Sequence, residues 1–168
     1  MKIVALVVLS LVSLKTLSQS KDYSKDVQSI DGIIAALYDV ISGEPNTSRD
    51  WDRFKNLFKA EARLIPTRKD EKGKLITKPI TPEEYVQLFQ SRIATGFFEK
   101  ELHRNTEEYG TIVHVFSTYE TRETRTGPVT NRGINSIQLF RNEGLYYIVS
   151  IFWCAENLGF KLPTQYEK

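Results

Sequence analysis

One cysteine, Cys154, stands in 168 residues, which excludes a disulfide framework. Histidine is almost as scarce: His103 and His114 are the only two, and neither belongs to a His-x-x-x-His pair. A metal site needs three or four ligands at workable spacing, so no metal and no cofactor is expected. A basic block is also missing. The formal charge of +2 comes from Lys2 and Lys15, and residues 19–168 balance at 21 charges of each sign. Such a chain is a poor partner for nucleic acid or anionic lipid. No apolar run reaches the roughly 20 residues that span a bilayer. What the sequence does have is 40% apolar and 11% aromatic residues, enough to bury the core of one domain.

The first eighteen residues read differently from the rest. Met1-Lys2 gives a positive start, Ile3 through Leu14 an apolar stretch, and Thr16-Leu17-Ser18 small residues at the positions a signal peptidase reads. The expectation is a signal peptide over 1–18 and a single mature domain over 19–168, secreted or periplasmic. Cleavage is expected before Gln19, with a cut before Lys21 as the alternative. No cysteine follows the apolar run, which argues against a lipid anchor, and a lone thiol in an exported chain is expected to be buried.

Periodicity then predicts helices followed by strands. Val27, Ile30, Ile33, Ile34, Leu37, Tyr38 and Ile41 recur at spacings of three and four, one apolar face of a helix of roughly sixteen to twenty residues ended by Gly43 and Pro45. A short second helix follows Asp50, with Trp51, Phe54, Leu57 and Phe58 inward. Residues 62–67 read as a brief strand and 68–78 as a charged loop around Gly73. A third helix opens on Thr81-Pro82-Glu83-Glu84, a capping box with proline at the first helical position, and ends at Gly96. From Phe97 the period becomes two, and four long strands are expected over about 97–109, 111–124, 129–141 and 145–154. Residues 155–168 are left as a tail that folds back over an edge. Helices first and antiparallel strands after make an α+β layout.

This order, together with Asp50-Trp51-Asp52-Arg53-Phe54-Lys55-Asn56-Leu57-Phe58, His114-Val115-Phe116-Ser117-Thr118-Tyr119-Glu120 and Arg132-Gly133-Ile134-Asn135-Ser136-Ile137-Gln138-Leu139, resembles a mostly bacterial branch of the nuclear transport factor 2-like superfamily. That superfamily includes SnoaL-like polyketide cyclases and ketosteroid isomerases, and the resemblance covers about residues 24–155. It implies three N-terminal helices packed on a curved, mostly antiparallel sheet, a cone-shaped, cystatin-like roll with an internal cavity. It implies little about activity, because this fold hosts isomerases, dehydratases, cyclases and plain binding modules. The steroid isomerases place a carboxylate base near the end of the first strand and a tyrosine on the first helix. Here those positions hold Pro66 and Leu37, with Tyr38 about 100° away around the helix, so the isomerase chemistry is not expected.

Alternation along the strands sorts the remaining candidates. Setting Thr118 beside Asn135, His114 beside Leu139 and Ile151 beside Asn135 yields two faces. One carries His114, Phe116, Thr118, Glu120, Asn135, Tyr147, Ile151 and Trp153, apolar walls with a few polar groups, as a small-molecule pocket requires. The other carries Val113, Val115, Ser117, Tyr119, Ser136 and Ser150, and suits a second sheet. The reverse assignment is the alternative, and a slip of one residue would mix the sets. The leading expectation is an exported protein that holds a small, mostly apolar molecule through His114, Thr118, Asn135, Tyr147 and Trp153, and that forms a homodimer through the sheet. One alternative is a cofactor-independent dehydratase, cyclase or isomerase-type lyase with His114 as acid/base, oriented by Glu120 or Asn135. Another is an interaction module whose cavity is filled by its own side chains.

Overall fold

The structure is a computed structural model and describes residues 21–91 and 93–166. The expected signal peptide, residues 1–18, lies outside them. Local chemistry sets the helix ends. Ser29, in extended backbone, accepts the Gly32 N–H through its side chain and starts α1, Ile30–Ile41. This helix is shorter than the periodicity predicts, because Val27 belongs to a separate 3₁₀ turn, Ser24–Val27, on the far side of the cap. Asp50 caps α2, Trp51–Asn56, by accepting the Arg53 N–H. At α3, Pro82–Gln90, the Thr81 hydroxyl accepts from the Glu84 N–H and the Glu84 carboxylate accepts from the Thr81 N–H.

β1, Phe58–Lys69, is twice as long as the brief strand expected there. It turns over Gly73 into β2, Leu75–Thr77, within the predicted charged loop. β3 (Phe98–Tyr109), β4 (Ile112–Arg122), β5 (Val129–Asn142) and β6 (Leu145–Ala155) form the expected antiparallel meander. The sheet order is β2-β1-β6-β5-β4-β3. β1 joins β6 in parallel, with Arg63 opposite Ser150 and Pro66 opposite Trp153. The sheet is therefore mixed, curved and unclosed, and with three helices the chain is α+β. Ile33, Ile34 and Leu37 of α1 share one core with Phe54, Leu57, Val113, Val115, Ile137 and Ile148. We call the sheet face that carries this core the inner face.

The strand register differs from the sequence reading, and the reason is physical. The β4–β5 hairpin closes with Arg122 opposite Val129, so its loop is centred earlier than alternation alone implied, and the register shifts between Thr121 and Arg122. Ser117, not Thr118, stands opposite Asn135, and His114 stands opposite Gln138, not Leu139. A second shift falls between Gln138 and Leu139, where β6 inserts Val149 as an extra residue. Beyond it Trp153, not Ile151, faces Asn135, while before it Tyr147 faces Phe140. A bulge reverses which side chains point inward, so the two expected faces mix. The inner face takes Val113, Val115, Ser117 and Tyr119 from one set and Asn135, Ile151 and Trp153 from the other.

The tail crosses the outer face rather than an edge. Glu156 pairs with Arg132 at 2.8 Å and also accepts the Leu162 N–H, which pins the chain after β6. Leu162 is buried, and the Tyr166 ring meets Phe116 at 5.3 Å. Cys154 is half-buried beside this tail, not enclosed in the core. Among the described residues no helix is long and apolar enough to cross a membrane.

Candidate functional site

A cavity of about 880 Å³ is lined from all three helices and from β1, β3, β4, β5 and β6. One side is aromatic. Phe54 stacks on Tyr85 at 5.3 Å, Tyr85 meets Phe89 at 5.8 Å, and Phe89 stands edge-on to Phe97 at 5.4 Å. These rings meet because α2 and the capped α3 each present an apolar side, and Phe97 leads directly into β3. Leu37, Pro66, Ile151 and Trp153 also line the space. Leu37 and Pro66 occupy the places where the isomerase pattern wants a tyrosine and a base.

The polar part of the lining centres on Glu99. Its Oε1 accepts a hydrogen bond from Asn135 Nδ2 at 3.2 Å. Burial in this apolar setting disfavours the charged carboxylate and pushes its pKa up to about 7, against the smaller opposing effect of the Asn135 amide. The same Asn135 Nδ2 donates to the Tyr38 hydroxyl at 3.0 Å. Tyr38 meets Ser117 Oγ at 2.7 Å, and Ser117 donates to Glu101 at 2.6 Å. Since Ser117 gives its proton to Glu101 and Tyr38 accepts from Asn135, the Tyr38 hydroxyl donates to Ser117. The chain of donors thus runs from Asn135 to Glu101, whose other oxygen is held by Arg104 at 2.8 Å. Burial, with the nearby Glu99 charge, pushes the Tyr38 and Tyr119 phenols upward, so both stay protonated at neutral pH.

Tyr119 lines the cavity by lying across Gly133, its partner on β5. A Cβ at Gly133 would fall 2.6 Å from the Tyr119 hydroxyl and 2.5 Å from the Cys154 carbonyl oxygen, so only glycine fits beneath this ring. The buried Tyr38 hydroxyl gives a direct test of the network. Tyr38→Phe should lower stability by about 1–2 kcal/mol, because it leaves the Asn135 and Ser117 bonds unmade. Urea denaturation reads that loss, and an unchanged midpoint would contradict the network.

The residues expected at the site divide between two faces. Asn135 and Trp153 line the cavity. His114 does not: it lies on the outer face, its Nε2 3.1 Å from Ser136 Oγ and its ring against Phe116. Glu120 is also outside, paired with Arg122 at 2.8 Å. Thr118 is fully buried on that outer side, and its Oγ1 has no hydrogen-bond partner. Tyr147 stands with Phe140 around the Lys59 ammonium, 5.4 Å from its ring. The register shifts account for all four. His114 and Glu120 therefore cannot act together on a molecule held in the cavity. Sequence reasoning missed Glu99 and gave Tyr119 no role. The signal for Glu99 was its position two residues after Phe97 in a strand of period two, which puts an acid on the face of an inward aromatic. Among the described residues no group of histidine, cysteine and carboxylate side chains is placed to hold a metal ion.

No family model and no curated protein matches the chain. Solved structures do. A protein of unknown function with a cystatin-like fold from Nostoc punctiforme superposes with a TM-score of 0.58 at 12% identity, covering 75% of this chain and 87% of that one. Aln2 from a Streptomyces species gives 0.56 at 15% identity, covering 77% and 89%. An NTF-2 like protein of unknown function from Silicibacter pomeroyi gives 0.50 at 13% identity, covering 74% and 91%. With its three helices, mixed curved sheet and chain order, this protein shares the cystatin-like fold of those structures.

Proposed function

We propose that this chain is an exported, cone-shaped binding protein that holds a small, mostly apolar molecule between the aromatic rings and the Glu99–Asn135 pair. One observation carries the reading. A space of about 880 Å³ with many aromatic and aliphatic residues in its walls holds a carboxyl, Glu99, hydrogen-bonded to one amide, Asn135, with Arg68, Arg122 and Glu123 also on the lining. Volumes of this order and a few convergent polar groups are what small-molecule sites share. The same volume weighs against a module whose interior is filled. Export rests on the charge, apolar stretch and small residues of positions 1–18. A homodimer through the outer face is supported by Phe152 and Phe160, which are 46% and 50% exposed beside the tail.

A second reading is a cofactor-independent lyase or isomerase in which Glu99, not His114, moves the proton. It is favoured by a carboxyl that titrates near neutrality within reach of a bound molecule.

The test uses N-phenyl-1-naphthylamine, a neutral apolar fluorophore. Saturable binding to the wild type is expected, with quenching of Trp153 on the cavity wall. Thr121→Trp should abolish binding by filling the space beside Glu99, while Ser136→Trp on the outer face should leave binding intact and dissociate the dimer in sedimentation. Failure of the wild type to bind, or full binding by a folded Thr121→Trp, would overturn the cavity reading.

A further inference from the structure

The Glu99 carboxyl lacks a counter-cation. Its only hydrogen-bond donor among the described residues is the Asn135 amide, and no lysine, arginine or histidine forms an ion pair with it. The groups that face it are Asn135 from β5, Tyr119 and Thr121 from β4, and Tyr38 from α1 through Asn135. None of them can be positively charged. Arg68, Arg122 and Glu123 also border the cavity; Arg122 is already held by Glu120 and the Gly127 carbonyl, and neither arginine forms an ion pair with Glu99. A carboxylate partly withdrawn from water without a positive partner is disfavoured, and protonation or a cation brought from outside relieves this.

The surroundings favour a particular cation. Phe97, two residues before Glu99, lines the cavity with it, Trp153 stands opposite Asn135, and Tyr119 lies over Gly133. Ring faces attract an ammonium group, and a carboxylate at the same end of an apolar cavity supplies its hydrogen-bond acceptor. Building on the cavity reading above, we propose that the site selects a hydrophobic amine, its ammonium paired with Glu99 between Phe97, Tyr119 and Trp153, and its apolar body along the Phe54–Tyr85–Phe89 rings. A neutral alcohol of the same shape would fill the space but leave the carboxyl unpaired.

The experiment compares 4-phenylcyclohexylamine with 4-phenylcyclohexanol by calorimetry at about pH 8, where the amine is cationic and Glu99 is largely ionised. The amine should bind the wild type about tenfold or more tightly than the alcohol, as a desolvated cation on a carboxylate and rings requires. In Glu99→Gln the amine should lose about tenfold while the alcohol changes by less than about threefold. Equal binding of the two probes by the wild type would overturn the amine inference and leave the cavity reading intact, as would an amine advantage that persists in Glu99→Gln. Binding of neither probe would remove both readings. The wild-type comparison needs no variant, so it decides even if the substitution impairs folding.

Discussion

Glu99→Gln should make the protein more stable at pH 8 and flatten its response to pH between about 4.5 and 7. The folded carboxyl titrates near 7, raised by burial, whereas a glutamate in the unfolded chain titrates near 4.5. Between those values the folded state keeps a proton that the unfolded state releases, so stability falls as pH rises through the window. The stability is fully present below the unfolded value and lost above the folded one. Two and a half pH units correspond to about 3 kcal/mol. Glutamine mimics the protonated carboxyl and has no such slope. Urea denaturation at pH 4.5, 6 and 8 should therefore show the variant gaining on the wild type by about 3 kcal/mol across the series. Parallel curves for the two proteins would refute the burial of this group. The window is free of interference from Asp50. The Lys21 side chain, the Arg53 N–H and the Tyr23 hydroxyl hold that carboxyl down at about 2, so its contribution is present above the ordinary carboxylate range and disappears only as pH falls toward 2.

The second large effect is expected at Arg49. Its side chain is buried, with 6% of the residue exposed, and its guanidinium donates to the carbonyls of Ile41, Gly43, Glu44 and Thr47. Among the described residues no carboxylate forms an ion pair with it, so a cation carries four backbone bonds that close the segment between α1 and α2. Gly43 leaves room for this: a Cβ there would stand 2.6 Å from Arg49 Cζ. The segment also meets the entry to β3, through the Gly43–Phe97 bridge and the Asn46 N–H bond to Ile93. Arg49→Ala should cost about 2–4 kcal/mol, since it leaves the buried Ile41 carbonyl unpaired and removes four charge-assisted bonds. Arg49→Lys should recover little, because an ammonium cannot reach the carbonyls that a planar fork spans. A urea midpoint within about 1 kcal/mol of wild type for Arg49→Ala would show that water replaces the guanidinium without loss.

The parts of this fold that were legible in the sequence are those fixed by neighbours along the chain. Thr81-Pro82-Glu83-Glu84 names its own helix start, and Asp50 does the same, because a cap is closed within three or four residues. The order of helices and strands followed from the change of period at Phe97. Register was not legible. It depends on single inserted residues such as Val149, and on where the loop after β4 closes, neither of which alters the alternation that marks a strand. For that reason Asn135 and Trp153 were placed on the cavity side together with His114, Thr118, Glu120 and Tyr147, which the structure puts elsewhere. Glu99 escaped notice because an acid near a strand end ordinarily faces water. Its neighbours across the cavity, Asn135 and Tyr119, are distant in sequence.

The parallel join of β1 to β6 bears on the order in which the molecule can form. β3 to β6 are a meander in which each strand meets the next across a short turn, so the chain can assemble them as it goes. On its β6 side β1 has no such partner nearby, since Arg63 pairs with Ser150 after the whole meander has been laid down. Closing a loop of about ninety residues before the reward of strand pairing is the kind of step that slows a domain to milliseconds or longer. A nascent chain therefore cannot finish this sheet until its last strand is available. Until then Phe58–Lys69 has only the three-residue β2 beside it, and the cavity has no completed wall behind Pro66 and Leu64.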